Sequence, residues 1–169
     1  MIAAVEASSE HPIGDAIVRA ASLRNLPLPA IDNFQSHTGF GVQAHVNNRD
    51  VLIGADRLMT RENIALGLLK TKGDSFAEKG ITPLYAAIDG EIAAVIGVTD
   101  PIKSSSYSAI QTLQKMGLSP VMITGDNPLT ARTIADELGI DRVIAGVLPE
   151  GKVTAIESLK TGGQLVAFV

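Results

Sequence analysis

A short apolar run, Pro120-Val121-Met122-Ile123, leads straight into Thr124-Gly125-Asp126-Asn127-Pro128 and then into a helical pattern that ends at Leu138. Strand, tight turn and helix start, in that order, constrain the fold more than any other stretch, because they form the repeating joint of a parallel α/β sheet. In such sheets ligands bind beyond the carboxyl ends of the strands, at joints of this kind. The glycine lets backbone come close to a ligand, and the free N–H groups of a helix start favour anions. Asp126 would repel a bare phosphate. It fits a phosphate site if a Mg²⁺ is shared, or if Asp126 holds the loop while Thr124 faces the phosphate. An ordinary strand-to-helix turn, with Asp or Asn capping the helix, accounts for the same residues.

The periodicity on either side of this joint predicts two architectures. Downstream, residues 104–116 read as a helix ended by Gly117, with Ser104-Ser105-Ser106 as its cap, and residues 119–123 as a strand. Residues 128–138 read as a helix with Ala131, Ile134, Ala135 and Leu138 on one face. A strand over 141–145, a helix over 149–159 and a strand over 164–169 complete an alternation that implies a parallel sheet. Upstream, residues 12–23 form a helix with Ile13, Ile17 and Ala20 on one face, and Pro12 suits its first position. Strands over 40–46 and 51–53 flank a turn at 47–50, and helices follow over 56–62 and 65–79, the second weakened by Gly67 and Gly73. Asp89-Gly90 joins apolar runs at 83–88 and 91–98, a preferred hairpin signal. The fold class is therefore α/β: antiparallel strands with helices over residues 1–98, then a partial parallel-sheet domain over 99–169, meeting near Thr99-Asp100-Pro101.

Composition narrows the partners. Apolar residues make up 46% of the 169-residue chain but aromatics only 4%, so its cores rest on Ala, Val, Ile and Leu. The net charge of −4 and the lack of a basic run argue against nucleic acid. Cysteine is absent, which excludes disulfides and thiolate metal sites, and His11, His37 and His45 have no metal-ligand spacing. No apolar stretch approaches the roughly 20 residues of a spanning helix. The N-terminus lacks the pattern of a signal peptide, so the piece is expected to be soluble with no membrane insertion of its own.

Three further groups of residues bear on chemistry. Lys152, in the first turn of a helix opened by Pro149-Glu150-Gly151, sits against the positive end of the dipole, which a nearby anion would repair. A solvated lysine is the plainer explanation. Glu6-Ala7-Ser8-Ser9-Glu10-His11-Pro12 places His11 at a helix N-cap with Glu6 just before it. An imidazole can stack on a purine, and a carboxylate can accept from an adenine amino group. A polar cap with a solvated approach is the alternative. Thr38-Gly39-Phe40-Gly41-Val42 permits close backbone approach to a ligand, or simply turns between strands. It is not a dinucleotide fingerprint, because the third glycine and the following helix are missing.

In order and spacing these segments, with Val51-Leu52-Ile53-Gly54, Asp100-Pro101-Ile102-Lys103 and Pro149-Glu150-Gly151-Lys152, closely resemble the heavy-metal-transporting P-type ATPases over essentially the whole chain. His11-Pro12 after Ser-Glu marks the metal-transporting branch, and Asp100-Pro101-Ile102-Lys103 resembles its copper-transporting members. The resemblance implies a nucleotide-binding domain over residues 1–98 and part of a haloacid dehalogenase-like Rossmann phosphorylation domain over 99–169. By this resemblance Glu6 and His11 orient adenine, Gly39, Gly41 and Val42 let backbone meet the nucleotide, and Gly54 lines the same pocket. Thr124, Gly125 and Asp126 would sit beside the phosphoryl group, Lys152 would stabilise its charge, and Asp100 would lie at the hinge. ATP and Mg²⁺ are the implied cofactors. The implied partners are the transmembrane and actuator domains of a parent transporter, at the cytoplasmic face of a membrane.

The resemblance also implies departures. The family's nucleophilic Asp-Lys-Thr-Gly-Thr motif is absent, as is its Mg²⁺-holding Gly-Asp-Gly-x-Asn-Asp motif, and Ala55 stands where many relatives carry Asn. The chain is accordingly expected to be a fragment that binds adenine nucleotide without turning over ATP. A stand-alone nucleotide-binding regulatory module is the competing reading. A soluble haloacid dehalogenase-like phosphatase is disfavoured, because the N-terminal half offers no Asp nucleophile motif.

Overall fold

Two tight turns organise the first half of the chain. Asn47 and Asn48 have φ of 53° and 60°, and Asp89 and Gly90 have φ of 51° and 81°. Positive φ at both central residues gives the turn whose twist matches paired strands. In the computed structural model, which describes residues 1–161 and 164–168, these turns join β2 (Gly41–Val46) to β3 (Arg49–Gly54), and β4 (Thr82–Ile88) to β5 (Glu91–Val98). With β1 (Ile31–His37) they form an antiparallel five-stranded sheet in the order β1-β2-β3-β4-β5. The turn expected over 47–50 is shorter than read. Arg49 and Asp50 pair with Val46 and His45, because a two-residue turn leaves both free to join the ladder.

Helices cover both faces of this sheet. Helix α1 (Ile2–Glu6) was not read from the sequence, being too short for a periodic signal. It is held by packing: Val5 joins Val42, Ala44, Val46, Val51 and Ile53 in one core. Helix α2 (Pro12–Leu23) packs beside it and buries Gly14, Ile17 and Ala21, a face rotated slightly from the expected one. On the opposite face, α3 (Asp56–Arg61) supplies Leu58 and Met59 to a second core with Tyr85 and Ala87. Burial on both faces explains why β4 reads as a continuous apolar run. Helix α4 (Leu68–Ala77) begins after Gly67, whose φ is +51°. Gly73 within it leaves space for the Tyr85 hydroxyl, so this glycine trades helix propensity for packing.

The second half alternates as expected: α5 (Ser104–Lys115), β6 (Val121–Ile123), α6 (Pro128–Leu138), β7 (Arg142–Ile144) and α7 (Gly151–Leu159). Strands β6 and β7 pair in parallel. Gly139, at φ 72°, closes α6. The serine cap of α5 is not formed. Lys103 occupies the N-cap without a side-chain bond, while Ser108 and Thr112 donate back to carbonyls within the helix. The strand expected over 164–169 is not seen over 164–168, where no ladder partner is found and Leu165 is fully exposed; Val169 lies outside the described residues. A strand without a ladder partner leaves its backbone groups to water.

By contacts the chain divides into two compact units: Met1–Phe76 with Ile81–Val98, and Ala77–Gly80 with the segment from Thr99 onward. Among the described residues no helix is long and apolar enough to cross a membrane.

Candidate functional site

In the first unit, Glu6 and His11 lie either side of Ser9 in sequence, which bears on both of them. His11 is the N-cap of α2, and its Nδ1 accepts from the Ile13 N–H at 3.2 Å. A neutral imidazole that accepts at Nδ1 carries its proton on Nε2, which fixes a donor at the outer edge of the exposed ring. The His11 N–H donates to Ser9 Oγ at 3.2 Å, and the Ser9 side chain in turn hydrogen-bonds Glu6. Glu6 ends α1 and is only 6% exposed, an unusual place for a carboxylate. Burial pushes its carboxyl up from the ordinary range, and the Ser9 bond partly opposes this.

The glycine residues have packing duties of their own. Gly41 and Gly54 face each other across β2 and β3. A Cβ on Gly41 would lie 2.7 Å from Gly54 Cα and 2.8 Å from Leu58 Cδ2, and would collide with the Ile53 carbonyl. Both glycines thus admit Leu58 to the sheet, whatever else approaches them. Val42 is buried in the core, and its strand is paired with β1 and β3 on either side, opposite Ser36 and Ile53. Gly39 has φ 75°, and its carbonyl accepts from Arg57 Nε at 2.9 Å and from a terminal Arg57 nitrogen at 2.5 Å. The guanidinium groups of Arg57 and Arg61 lie 5.8 and 4.6 Å from the Phe40 ring centroid. Two cations therefore flank the Gly39–Gly41 turn, a feature that the sequence did not reveal.

In the second unit, the turn after β6 is tied to the turn after β7. The Thr124 N–H donates to the Ile144 carbonyl at 3.0 Å, the Val147 N–H to the Thr124 carbonyl at 3.0 Å, and the Gly146 N–H to the Asp126 carbonyl at 2.8 Å. Gly146 makes this possible with φ 67°. Within the turn, Thr124 Oγ1 donates to Asp126 Oδ2 at 2.8 Å and accepts from the Asp126 N–H at 3.1 Å. Asn127 Oδ1 caps α6 by accepting from the Thr130 N–H at 2.9 Å. Asp126 thus holds the loop and Asn127 performs the capping, while Gly125 lies between Thr124 and Asp126. Lys152 follows the same edge as the second residue of α7, and among the described residues its ammonium has no ion pair or hydrogen bond. Parallel pairing of β6 and β7 puts the loops that carry Thr124 and Lys152 at the carboxyl ends of the strands.

A family model for the haloacid dehalogenase-like hydrolases matches residues 1–169. The chain belongs to that family. Copper-transporting ATPase 2 of Rhizobium meliloti (strain 1021) is 46% identical over 169 residues, which are 100% of this chain and 20% of that protein. A zinc-transporting PIB-type ATPase in its E2.Pi state is 32% identical, with a TM-score of 0.57 over 94% of this chain and 25% of the other. The catalytic domain of a CPx-ATPase shares the fold with a TM-score of 0.69 at 24% identity, over 96% of this chain and 56% of the other. The chain spans about a fifth of the length of the curated relatives it matches.

Among the described residues of this haloacid dehalogenase-like chain, no group of three or more His, Cys, Asp or Glu is placed to hold a metal. Asp126, the one carboxylate in the turn, is engaged by Thr124. A Mg²⁺ there would take most of its ligands from phosphates and water, as this ion often does, so the residues present do not complete a site of their own. A separate cleft lies on the other side of the first sheet, lined by Gln35, Gln43, His45, Leu52, Glu62 and Ile64 among others. Two of its polar groups are already paired, His45 with Asp50 within the cleft and Gln43 with His37 outside it. None of the six residues assigned to the nucleotide lines it.

The buried Glu6 carboxyl carries a pH signature. Because its folded value is raised, its contribution to stability is fully present below the unfolded value and is lost as pH rises through the folded value. Glu6→Gln is expected to be more stable than wild type near neutral pH, with the advantage vanishing below about pH 4. Urea midpoints at the two pH values check this; an equal difference at both would contradict the assigned cause.

Proposed function

We propose that this chain is the ATP-binding cytoplasmic segment of a heavy-metal-transporting P-type ATPase, with copper as the cargo. Residues 1–98 would be the nucleotide-binding domain and residues 99–169 part of the phosphorylation domain. The observation that supports the reading is that a buried carboxyl, Glu6, and an imidazole oriented by its N-cap bond, His11, both lie close in sequence to Ser9, whose Oγ accepts from the His11 backbone N–H. A carboxyl oxygen can accept from the adenine amino group while the imidazole covers the ring. The Gly39–Gly41 turn, with Val42 and Gly54 behind it, offers backbone to the sugar and phosphates.

The second unit would handle the transferred phosphoryl group. Thr124, Gly125 and Asp126 would border it, and Lys152 would neutralise charge that develops there. In the parent, the phosphoryl group would pass from ATP to an aspartate outside this segment and then to water. Mg²⁺ would supply charge neutralisation when bound with the phosphates. The transmembrane and actuator domains would be the partners, with this segment on the cytoplasmic face. The copper assignment is supported by the copper-transporting relatives. The segment alone would bind ATP without turning it over.

Titration of the chain with ATP and GTP, followed by amide chemical shifts, tests this. Shifts are expected at Glu6, His11, Gly39 and Gly41, with ATP preferred. His11→Gln should weaken ATP by about tenfold, the value of one well-placed contact. Shifts confined to the region of Thr124 that spare His11 would show that the adenine assignment is wrong. Robust ATP hydrolysis by the chain would overturn the inactive-segment reading.

A further inference from the structure

We propose that Gly14 is a positioning residue for base selection, its bare Cα forming the seat that holds the Glu6 carboxyl where it reads adenine. This rests on the nucleotide-binding reading above. Gly14 is the third residue of α2 and is buried. Its φ is not in the left-handed region, so the backbone does not demand glycine there. Glycine is also a poor helix former, and alanine would suit the helix better. What forbids alanine is space. A Cβ would lie 2.9 Å from Glu6 Oε2, 2.9 Å from the Glu6 carbonyl oxygen and 3.3 Å from Ser9 Cβ.

Those three atoms belong to the two residues that lead to His11. The Gly14 N–H also donates to the His11 carbonyl at 2.8 Å. Gly14 therefore bonds His11 through its N–H, and the space where its Cβ would stand is bounded by Glu6 and Ser9, which leaves the bare Cα beneath the carboxyl. An added methyl would displace Oε2, loosen the Ser9 hydroxyl and turn the carboxyl away from its present direction. The consequence is specific to the base. Adenine presents an amino group where guanine presents a carbonyl oxygen, so an accepting carboxyl oxygen favours the first and opposes the second. Moving it weakens ATP binding and relieves the penalty on GTP.

The test compares ATP and GTP affinities of the 169-residue chain as wild type, Gly14→Ala and Ser9→Ala. In Gly14→Ala the ATP-to-GTP preference should fall by about tenfold, with ATP affinity lost and GTP affinity held or raised. The urea midpoint should fall, since the methyl also meets the Glu6 backbone carbonyl, which cannot swing aside, so the affinities are compared under conditions where each variant is folded. Ser9→Ala adds no bulk and should shift the same ratio in the same direction, which covers the case of a poorly folded Gly14→Ala. Equal losses for both nucleotides in both variants, or an unchanged ratio, would overturn the proposal and leave Gly14 a packing spacer. A wild-type chain that binds neither nucleotide overturns the nucleotide-binding reading first, and this proposal with it. The two failures are thus distinguishable.

Discussion

Gly41→Ala should abolish stable folding of the first unit. The new methyl would meet the Ile53 carbonyl, Gly54 Cα and Leu58 Cδ2 at once, and Gly41 has φ of +153°. Two of those obstacles are backbone atoms in a paired strand, which cannot rotate away as a side chain can. Backbone strain and overpacking each cost about 1–3 kcal/mol, and an added carbon as close as this to the Ile53 carbonyl puts the sum at the upper end, within reach of the lower bound of about 5 kcal/mol for a small domain's stability. Gly90→Ala is the natural comparison. Gly90 also has positive φ, 81°, but nothing lies within 4 Å of its missing Cβ. It should cost only about 1 kcal/mol. Urea unfolding of the two variants separates the effect of space from that of φ. If Gly41→Ala is no worse than Gly90→Ala, the close packing of β2 on β3 does not govern stability here.

The same pair of glycines shows where sequence reading succeeds and where it stops. Thr38-Gly39-Phe40-Gly41 offered a close backbone approach to a ligand or a plain turn between strands, and what the structure packs against Gly41 is protein. What approaches is visible only in three dimensions: Gly54 across the ladder and Leu58 from the helix that follows. Local signals carried well. Asp89-Gly90 fixed a hairpin, His11-Pro12 fixed an N-cap, Gly139 fixed a helix end, and the turn after β6 lies where the apolar run predicted it. Each is decided within a few residues. Arg57 on the Gly39 carbonyl is not, since 18 residues separate the partners. Gly14 beneath Glu6 is not either, because a glycine in an amphipathic helix gives no sign of what rests on it. Helix α1 lacks the length for a periodic signal, and packing on β2 creates it. The strand expected over 164–169 fails, over its described part 164–168, for the opposite reason: strand propensity is strong in Leu165-Val166-Ala167-Phe168, but no ladder partner is found among the described residues.

Leu58→Ala should produce the second large loss, and it reaches function as well as stability. Leu58 is fully buried and packs with Met59, Tyr85 and Ala87. Truncating such a leucine costs about 2–5 kcal/mol, the higher values arising where the surroundings cannot collapse into the space. Collapse is hard here. The atoms around Leu58 Cδ2 include Gly41 and Gly54, which have no side chains to move and are fixed by their ladder. The cost should therefore fall in the upper half of that range. Arg57 precedes Leu58 on α3, so a helix that loses its buried anchor also loses its hold on the Gly39 carbonyl. The Gly39–Gly41 turn should then become mobile, and ATP affinity should fall even under conditions where most molecules remain folded. Leu58→Met keeps the volume and should cost less than about 1.5 kcal/mol with ATP affinity intact. Arg57→Ala should do the reverse, sparing the core while weakening ATP. Urea midpoints and ATP titrations of the three variants sort these effects. A Leu58→Ala chain that binds ATP like wild type would mean that the turn holds its shape without α3, and the Arg57 contact would then be a consequence of the fold rather than a support of the site.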